Sequence, residues 1–323
     1  MTRVQSRTAS YPWSWLHAVA SHLRPGGRRG DEQALLSLLN LAWFVEARDP
    51  YTGGHLWRVS RYAQALAEHA GLSPPEVARI ALGGFLHDLG KVGVPDAVLR
   101  KAGPLGEAEW QVMRTHPQVG LRLLSAYPLA HWVRDAVGSH HERCDGQGYP
   151  DGLTGTAIPL AARIVGICDA FDAMTSARPY RAPMSIERAL GIIDAQSGTQ
   201  FDRDLAAHFV ALGRAGRWSH IAGHSDEGIP LLHCPHCGPT LVRPREARAG
   251  QLLYCRNCTS AFVLEASRGE LQARPTGAMA SASELITDAD QALLHRLLAE
   301  FAALRLWALP VATGARGVPF AAG

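Results

Sequence analysis

The chain has 323 residues, 47% of them hydrophobic and 19% charged, with a net charge of +3 and a pI near 8.6. That length accommodates one large domain plus a smaller module, or two modest domains. The composition excludes wholesale disorder, and the charge is too mild to argue for a nucleic-acid or anionic-membrane partner.

The local basic excess lies at the start, where Arg3, Arg7, Arg24, Arg28 and Arg29 precede any acidic residue. "YPWSWLHAVASHL" is too interrupted by polar residues for a signal peptide, and no later run approaches the roughly 20 apolar residues of a spanning helix. Residues 1–30 read as a mobile or peripheral terminus, with loose membrane-surface contact as the lesser alternative. The protein is expected in the cytoplasm.

From Asp31, suited to capping, "DEQALLSLLNLAWFVEA" repeats apolar residues at helical spacing. "HLWRVSRYAQALAEHAGL" reads as a second helix, and "SPPEVARIALGGFLHDLGK" as a third that Ser73 caps. "GEAEWQVMRTHPQVGLRLLSAY" and "LAHWVRDAVGSHHER" continue the pattern; beyond a Gly/Pro-rich loop, so do "LAARIVGICDAFDAMTSA" and "SIERALGIIDAQ". Residues 31–212 therefore form an all-α domain. After a linker over 213–230 the character changes, and residues 231–266 read as a small β-ribbon. A second linker over 267–280 leads to an amphipathic helix over 281–309, with Ser281 and Glu284 at capping-box spacing, and then a tail over 310–323.

Metal-capable residues recur at helix ends and beside turns: His55, His87, Asp88, His116, His140, His141 and Asp169. Any one histidine of fifteen is more simply a core or surface residue, and His17, His22, His69, His131, His208, His220, His224 and His295 are left as such. The set is what argues. Five imidazoles and two carboxylates exceed what one ion takes and suit two ions sharing a carboxylate; mixed imidazole and carboxylate ligands favour iron, manganese or zinc. Separately, Cys234, Cys237, Cys255 and Cys258 form two CxxC pairs seventeen residues apart, the pattern of a structural four-cysteine zinc site. His233 and His236 are expected outside it.

"HDLGK" together with "HHERCDGQGYP" resembles the HD-GYP family, a subgroup of the HD-superfamily metal-dependent phosphohydrolases. "DPYTGGHLWRVSRYA", "HPQVG", "DGLTGTAIPLAARIVGICDAFDAMTSARPYR" and "GTQFD" follow in the family's order, over roughly residues 35–212. The resemblance implies a helical domain that hydrolyses cyclic di-GMP, a bacterial second messenger, to pGpG or on to GMP. It implies one metal on His55, His87, Asp88 and Asp169, with Asp88 bridging to a second on His116, His140 and His141. Some members hold a third ion with a glutamate where this chain has Tyr51, so two ions, iron or manganese, are expected. A water activated between them is the expected nucleophile.

Lys91, just after the His-Asp pair, is the expected phosphate contact, and by the same resemblance Arg178 and Arg181 match ligand-binding basic positions. Asp172 would orient a ligand or Lys91, the plainer reading being a surface ion pair with Arg181. Gly146, Gly148, Tyr149 and Pro150 shape a loop that the family links to GGDEF-domain cyclases; Cys144 stands where an aromatic residue is usual. The alternatives are a phosphodiesterase for cyclic GMP-AMP and a weakly catalytic adaptor that binds the nucleotide or, through the ribbon, another protein. Leu293, Leu297, Phe301 and Leu304 mark a stripe that would pair with a second copy or fold back on the ribbon.

Overall fold

The computed structural model describes residues 27–49, 53–177, 181–267, 269–286 and 288–307. The first helix among the described residues, α1 (Gly27–Arg48), carries Leu35, Leu38, Leu39 and Ala42 buried on one face. It starts a turn before Asp31, so Asp31 lies inside it and does not cap it. Gly30 costs such a helix about 1 kcal/mol, which packing of the apolar face outweighs.

Helix α2 (His55–His69) follows, then α3 (Pro74–Leu86), whose Ser73 N–H donates to the Glu76 carboxylate at 3.0 Å. A 3-10 turn at Leu89–Gly93 leads through α4 (Asp96–Leu99) to α5 (Glu107–Met113), α6 (His116–Leu124) and α7 (Ala130–Ser139). The expected continuous helix through "WQVMRTHPQV" is thus two helices. Pro117 has no N–H to extend the ladder back to the Met113 carbonyl, and the chain turns at Arg114 and Thr115. Helices α8 (Leu160–Thr175), α9 (Ile186–Ala195) and α10 (Arg203–Arg214) complete the run.

Two apolar cores hold these helices. One gathers Leu35, Leu38, Phe85, Leu86 and Val133; the other gathers Tyr62, Leu66, Phe171, Phe209 and Trp218. The ends of α2, α3, α6, α7 and the middle of α8 meet between them.

The 213–230 span is not a plain linker. It forms a 3-10 turn that buries Trp218 completely, then a hairpin of β1 (His224–Asp226) and β2 (Ile229–Pro230). The ribbon comprises the antiparallel pair β3 (Leu232–Cys234) and β4 (Gly238–Leu241), and a sheet ordered β5 (Leu252–Tyr254), β6 (Ser260–Ser267), β7 (Glu270–Met279). Strand β7 overturns the linker expected over 267–280. Its Ala, Gly and Pro content reads as a breaker, yet pairing along β6 from Ser267↔Glu270 to Ser260↔Met279 sets the backbone.

Ser281 and Glu284 do form their box, with Ser281 N donating to Glu284 at 2.7 Å, but on a turn. The last helix among the described residues, α11 (Gln291–Ala303), starts ten residues later and is capped by Asp290, which accepts from Leu293 N at 2.9 Å. Its apolar stripe does not fold back on the ribbon. Leu293, Leu294, Leu297 and Phe301 complete the core of α1 and α3, and Gln291 donates to Asn40 of α1 at 2.7 Å.

Candidate metal centre

A helix leaves its last carbonyls without intrahelical partners, and three histidines use them. At the end of α3, His87 Nδ1 donates to Gly84 O at 2.7 Å; at the end of α5, His116 Nδ1 donates to Met113 O at 2.8 Å. His140, closing α7, sets Nδ1 3.1 Å from Ala136 O and 3.2 Å from Val137 O. With Nδ1 committed as donor, each Nε2 carries a lone pair, and all three are aimed into one space. Pro117 has a direct part in this, because the break it causes leaves the Met113 carbonyl open to His116.

Two donor groups result: His55, His87 and Asp169, and His116, His140 and His141, the atoms of each within 4.8 Å of one another. Asp88 lies between them. Its Oδ2 is 3.6 Å from His55 Nε2 and 3.4 Å from His87 Nε2, while its Oδ1 is 3.5 Å from His116 Nε2. Asp169 Oδ1 stands 3.5 Å from His55 Nε2 and 3.8 Å from His87 Nε2. The approach of turn and helix is close: a Cβ on Gly90 would sit 1.8 Å from the His116 carbonyl oxygen.

Electrostatics separate the two groups. Burial, reinforced by His141, pushes His116 down to about 3; burial holds His141 at about 4 and His140 well below the usual range. These rings are neutral. His116 Nε2 and His140 Nε2 therefore face each other as lone pairs 3.3 Å apart with no proton between them, a repulsive arrangement that a cation relieves. Bonds of about 2.1 Å to one ion place neighbouring donors roughly 3.0–3.4 Å apart, so the spacing fits. Around His55 burial opposes charge, but hydrogen bonds to Asp172 and Asp88 and the charge of Asp169 outweigh it and lift the ring to about 9. A cation held among the same carboxylates displaces that proton.

Asp172 is 1% exposed, so it is no surface ion pair and it does not line the cavity. Its Oδ2 accepts from His55 Nδ1 at 2.7 Å, and both its oxygens accept from Arg58, at 2.5 and 3.0 Å. Arg58 also donates to the Gly53 carbonyl at 2.9 Å and the His224 carbonyl at 2.8 Å. Sequence reasoning missed Arg58; its one signal was a charged residue one turn after His55 on an otherwise apolar helix face. Arg181 is turned away too, donating to the Ala173 carbonyl beside a separate cavity that His233 and His236 line. Arg178 and Tyr51 lie outside the described residues.

The centre opens into a cavity of about 520 Å³, lined among others by Lys91, Trp110, Arg114, Tyr149 and Arg163. Lys91 Nζ rests 2.7 Å from Asp88 Oδ2. One wall is the loop carrying Gly146, Gly148, Tyr149 and Pro150. Buried Glu142 accepts from Asp151 N at 2.7 Å and Leu153 N at 2.9 Å, and Tyr149 stacks on His141 with ring centroids 4.7 Å apart. Gly148 touches main chain, since a Cβ there would lie 2.4 Å from Arg143 N. Cys144 lines the same cavity, and its N–H donates to Gln200 O at 3.2 Å.

In the ribbon, Cys234, Cys237, Cys255 and Cys258 bring four sulfurs within 4.8 Å, with Cys234 Sγ and Cys258 Sγ 3.6 Å apart. A tetrahedron with Zn–S bonds of about 2.3 Å has edges near 3.8 Å, so this donor set also fits its ion.

The HD domain family matches residues 41–205. A cyclic di-GMP phosphodiesterase response regulator, RpfG, of Xanthomonas campestris is 46% identical over 53% of this chain and 46% of its own length. A cyclic di-GMP phosphodiesterase of Thermotoga maritima is 38% identical over 55% of this chain and 48% of its own. A 3'3'-cGAMP-specific phosphodiesterase of Vibrio cholerae is 38% identical over 53% and 36%. The chain spans less than half the length of each of these relatives.

Proposed function

The chain belongs to the HD domain family, and from that premise we propose that it is a metal-dependent phosphodiesterase hydrolysing cyclic di-GMP to pGpG or on to GMP. The observation that carries this reading is the pair of histidine groups whose lone pairs converge on either side of Asp88. His55, His87, Asp88 and Asp169 would hold one divalent ion, and Asp88, His116, His140 and His141 the other, with iron or manganese matching the nitrogen and oxygen donors. Bound there, the pair supplies an activated water and offsets charge on the phosphoryl oxygens.

The protein's own groups do the rest. Asp172 and the three helix-end carbonyls hold His55, His87, His116 and His140 in the tautomer that offers Nε2. Lys91, on Asp88 at 2.7 Å, adds a cation where phosphoryl charge develops. The wall formed by Tyr149 and the loop beneath it narrows access for water. The same loop is the candidate contact for a cyclase partner, and the four cysteines are proposed to hold one structural zinc.

Cyclic GMP-AMP is a second candidate substrate, favoured by the likeness to a relative that bears that specificity in its name. No helix among the described residues is long and apolar enough to cross a membrane, in keeping with a cytoplasmic enzyme. The test is chromatography of products from manganese- or iron-loaded protein given cyclic di-GMP and, in parallel, cyclic GMP-AMP. Metal-dependent product from cyclic di-GMP, absent in the His87→Ala, Asp88→Ala double variant, is the expected result. No product from either nucleotide at full metal loading would reject catalysis in favour of an adaptor.

A further inference from the structure

Helix α5 ends against the candidate metal centre, where its last carbonyl holds His116. Two of its side chains, Trp110 and Met113, and that of Arg114, which caps its end in helical conformation, line the large cavity. Positions i, i+3 and i+4 share one helix face, so α5 presents that face to the cavity. Trp110 is left 42% exposed there. A lone exposed tryptophan elsewhere on a surface needs no explanation; this one forms a wall of the cavity that holds the candidate metal ligands.

Arg114 differs from the other cations around it. Arg143 is paired with Asp145, Arg163 with Asp202 and Lys91 with Asp88. Arg114 lines the cavity yet forms no ion pair with a described residue; its guanidinium lies 5.7 Å over the Tyr149 ring.

We propose that this face of α5 is the base-recognition surface of the site. Trp110 supplies the flat apolar area on which a purine stacks, and Arg114 supplies paired donors for the O6/N7 edge of guanine. The idea rests on the phosphodiester reading above and adds what selects the substrate. Trp110 lies one helical turn before Met113, whose carbonyl holds His116, and Trp110 and His116 line the same cavity, so a phosphate at the metal centre and a base on the indole would share that space.

The experiment compares full-length, metal-loaded Trp110→Ala, Trp110→Phe, Arg114→Ala and Arg114→Lys with the parent. Cyclic di-GMP is one substrate and methyl p-nitrophenyl phosphate, which has no base, the other; cyclic di-AMP serves as competitor, and metal per chain is measured alongside. Trp110→Ala should raise KM for cyclic di-GMP roughly fivefold or more, with kcat and metal content little changed and the Phe variant close to the parent. Arg114→Ala should raise KM for cyclic di-GMP and leave inhibition by cyclic di-AMP as it was, with Lys recovering only part. An unchanged KM in Trp110→Ala, or an equal rise for the base-free ester, overturns the base-recognition surface while leaving the phosphodiesterase standing. A parent that hydrolyses the ester but neither binds nor cleaves cyclic di-GMP overturns both.

Discussion

At Asp172 one carboxylate serves two partners, and the two effects separate by substitution. Asp172→Asn leaves Arg58 buried without its counter-charge, which costs about 3–5 kcal/mol for a broken buried pair and is read as a lower urea midpoint. It also weakens the hold on His55 Nδ1, so metal per chain should fall even where the variant is folded. Burial works to raise the Asp172 carboxyl, but the charge of Arg58 and the bonds from His55 hold it below its ordinary 3.8. A depressed carboxyl contributes stability that is full above about pH 4 and is lost as pH falls through the folded value. The parent should therefore lose stability more steeply below pH 4 than Asp172→Asn does, measured by urea unfolding across that range. None of this was legible from the residue's identity. Its place one turn after Asp169 suggested a ligand contact or a surface pair, whereas burial and the approach of Arg58 are products of how α2 and α8 pack. The seven metal-capable residues were legible because chemistry alone seldom gathers so many at helix ends.

The candidate metal site is set by how helices stop. α3 and α7 end at a histidine, and α5 ends at a carbonyl that a histidine takes. Pro117→Ala restores an N–H able to compete for the Met113 carbonyl, freeing His116 to turn. Affinity for the second ion should drop about 10–100-fold, as loss of a ligand's supporting hydrogen bond does, and titration against a chelator measures it. Gly90→Ala is harsher, because its Cβ meets the His116 carbonyl and α6 must move; we expect insoluble protein, or soluble protein with about one ion fewer, by metal analysis. Helical periodicity exposed most helices, since their buried faces are written at 3.6-residue spacing. It could not show the break before Pro117, where polar and apolar residues keep the helical rhythm across the turn, nor strand β7, whose conformation comes from pairing with β6.

On the scale of the whole chain, the sequence pattern suggests a catalytic domain trailed by accessory parts, and packing joins them. Leu293, Leu294, Leu297 and Phe301 sit in the same core as Leu35 and Phe85. Burying each such side chain contributes about 1.5–3 kcal/mol, and the sum rivals the 5–15 kcal/mol of a typical domain. Ending the chain at residue 286 should therefore give aggregated or loosely packed protein, detected by lost near-ultraviolet dichroism. Cys255→Ser is milder: the zinc proposed for the four cysteines should be lost in metal analysis, with protease cleavage appearing first within residues 231–279. The amphipathic stripe of α11 was plain in the sequence, but which surface it covers depends on an apolar face of α1 more than 250 residues away.

That closure by the last helix also orders events during synthesis. A chain emerging N-terminus first presents every residue of the HD domain match by position 205, yet α1 and α3 keep a bare apolar face until α11 follows. At about 5–20 residues per second, the roughly 100 residues between them delay completion by on the order of 5–20 s. During that interval the four cysteines appear and can fold around an ion while the helical core above them is still open.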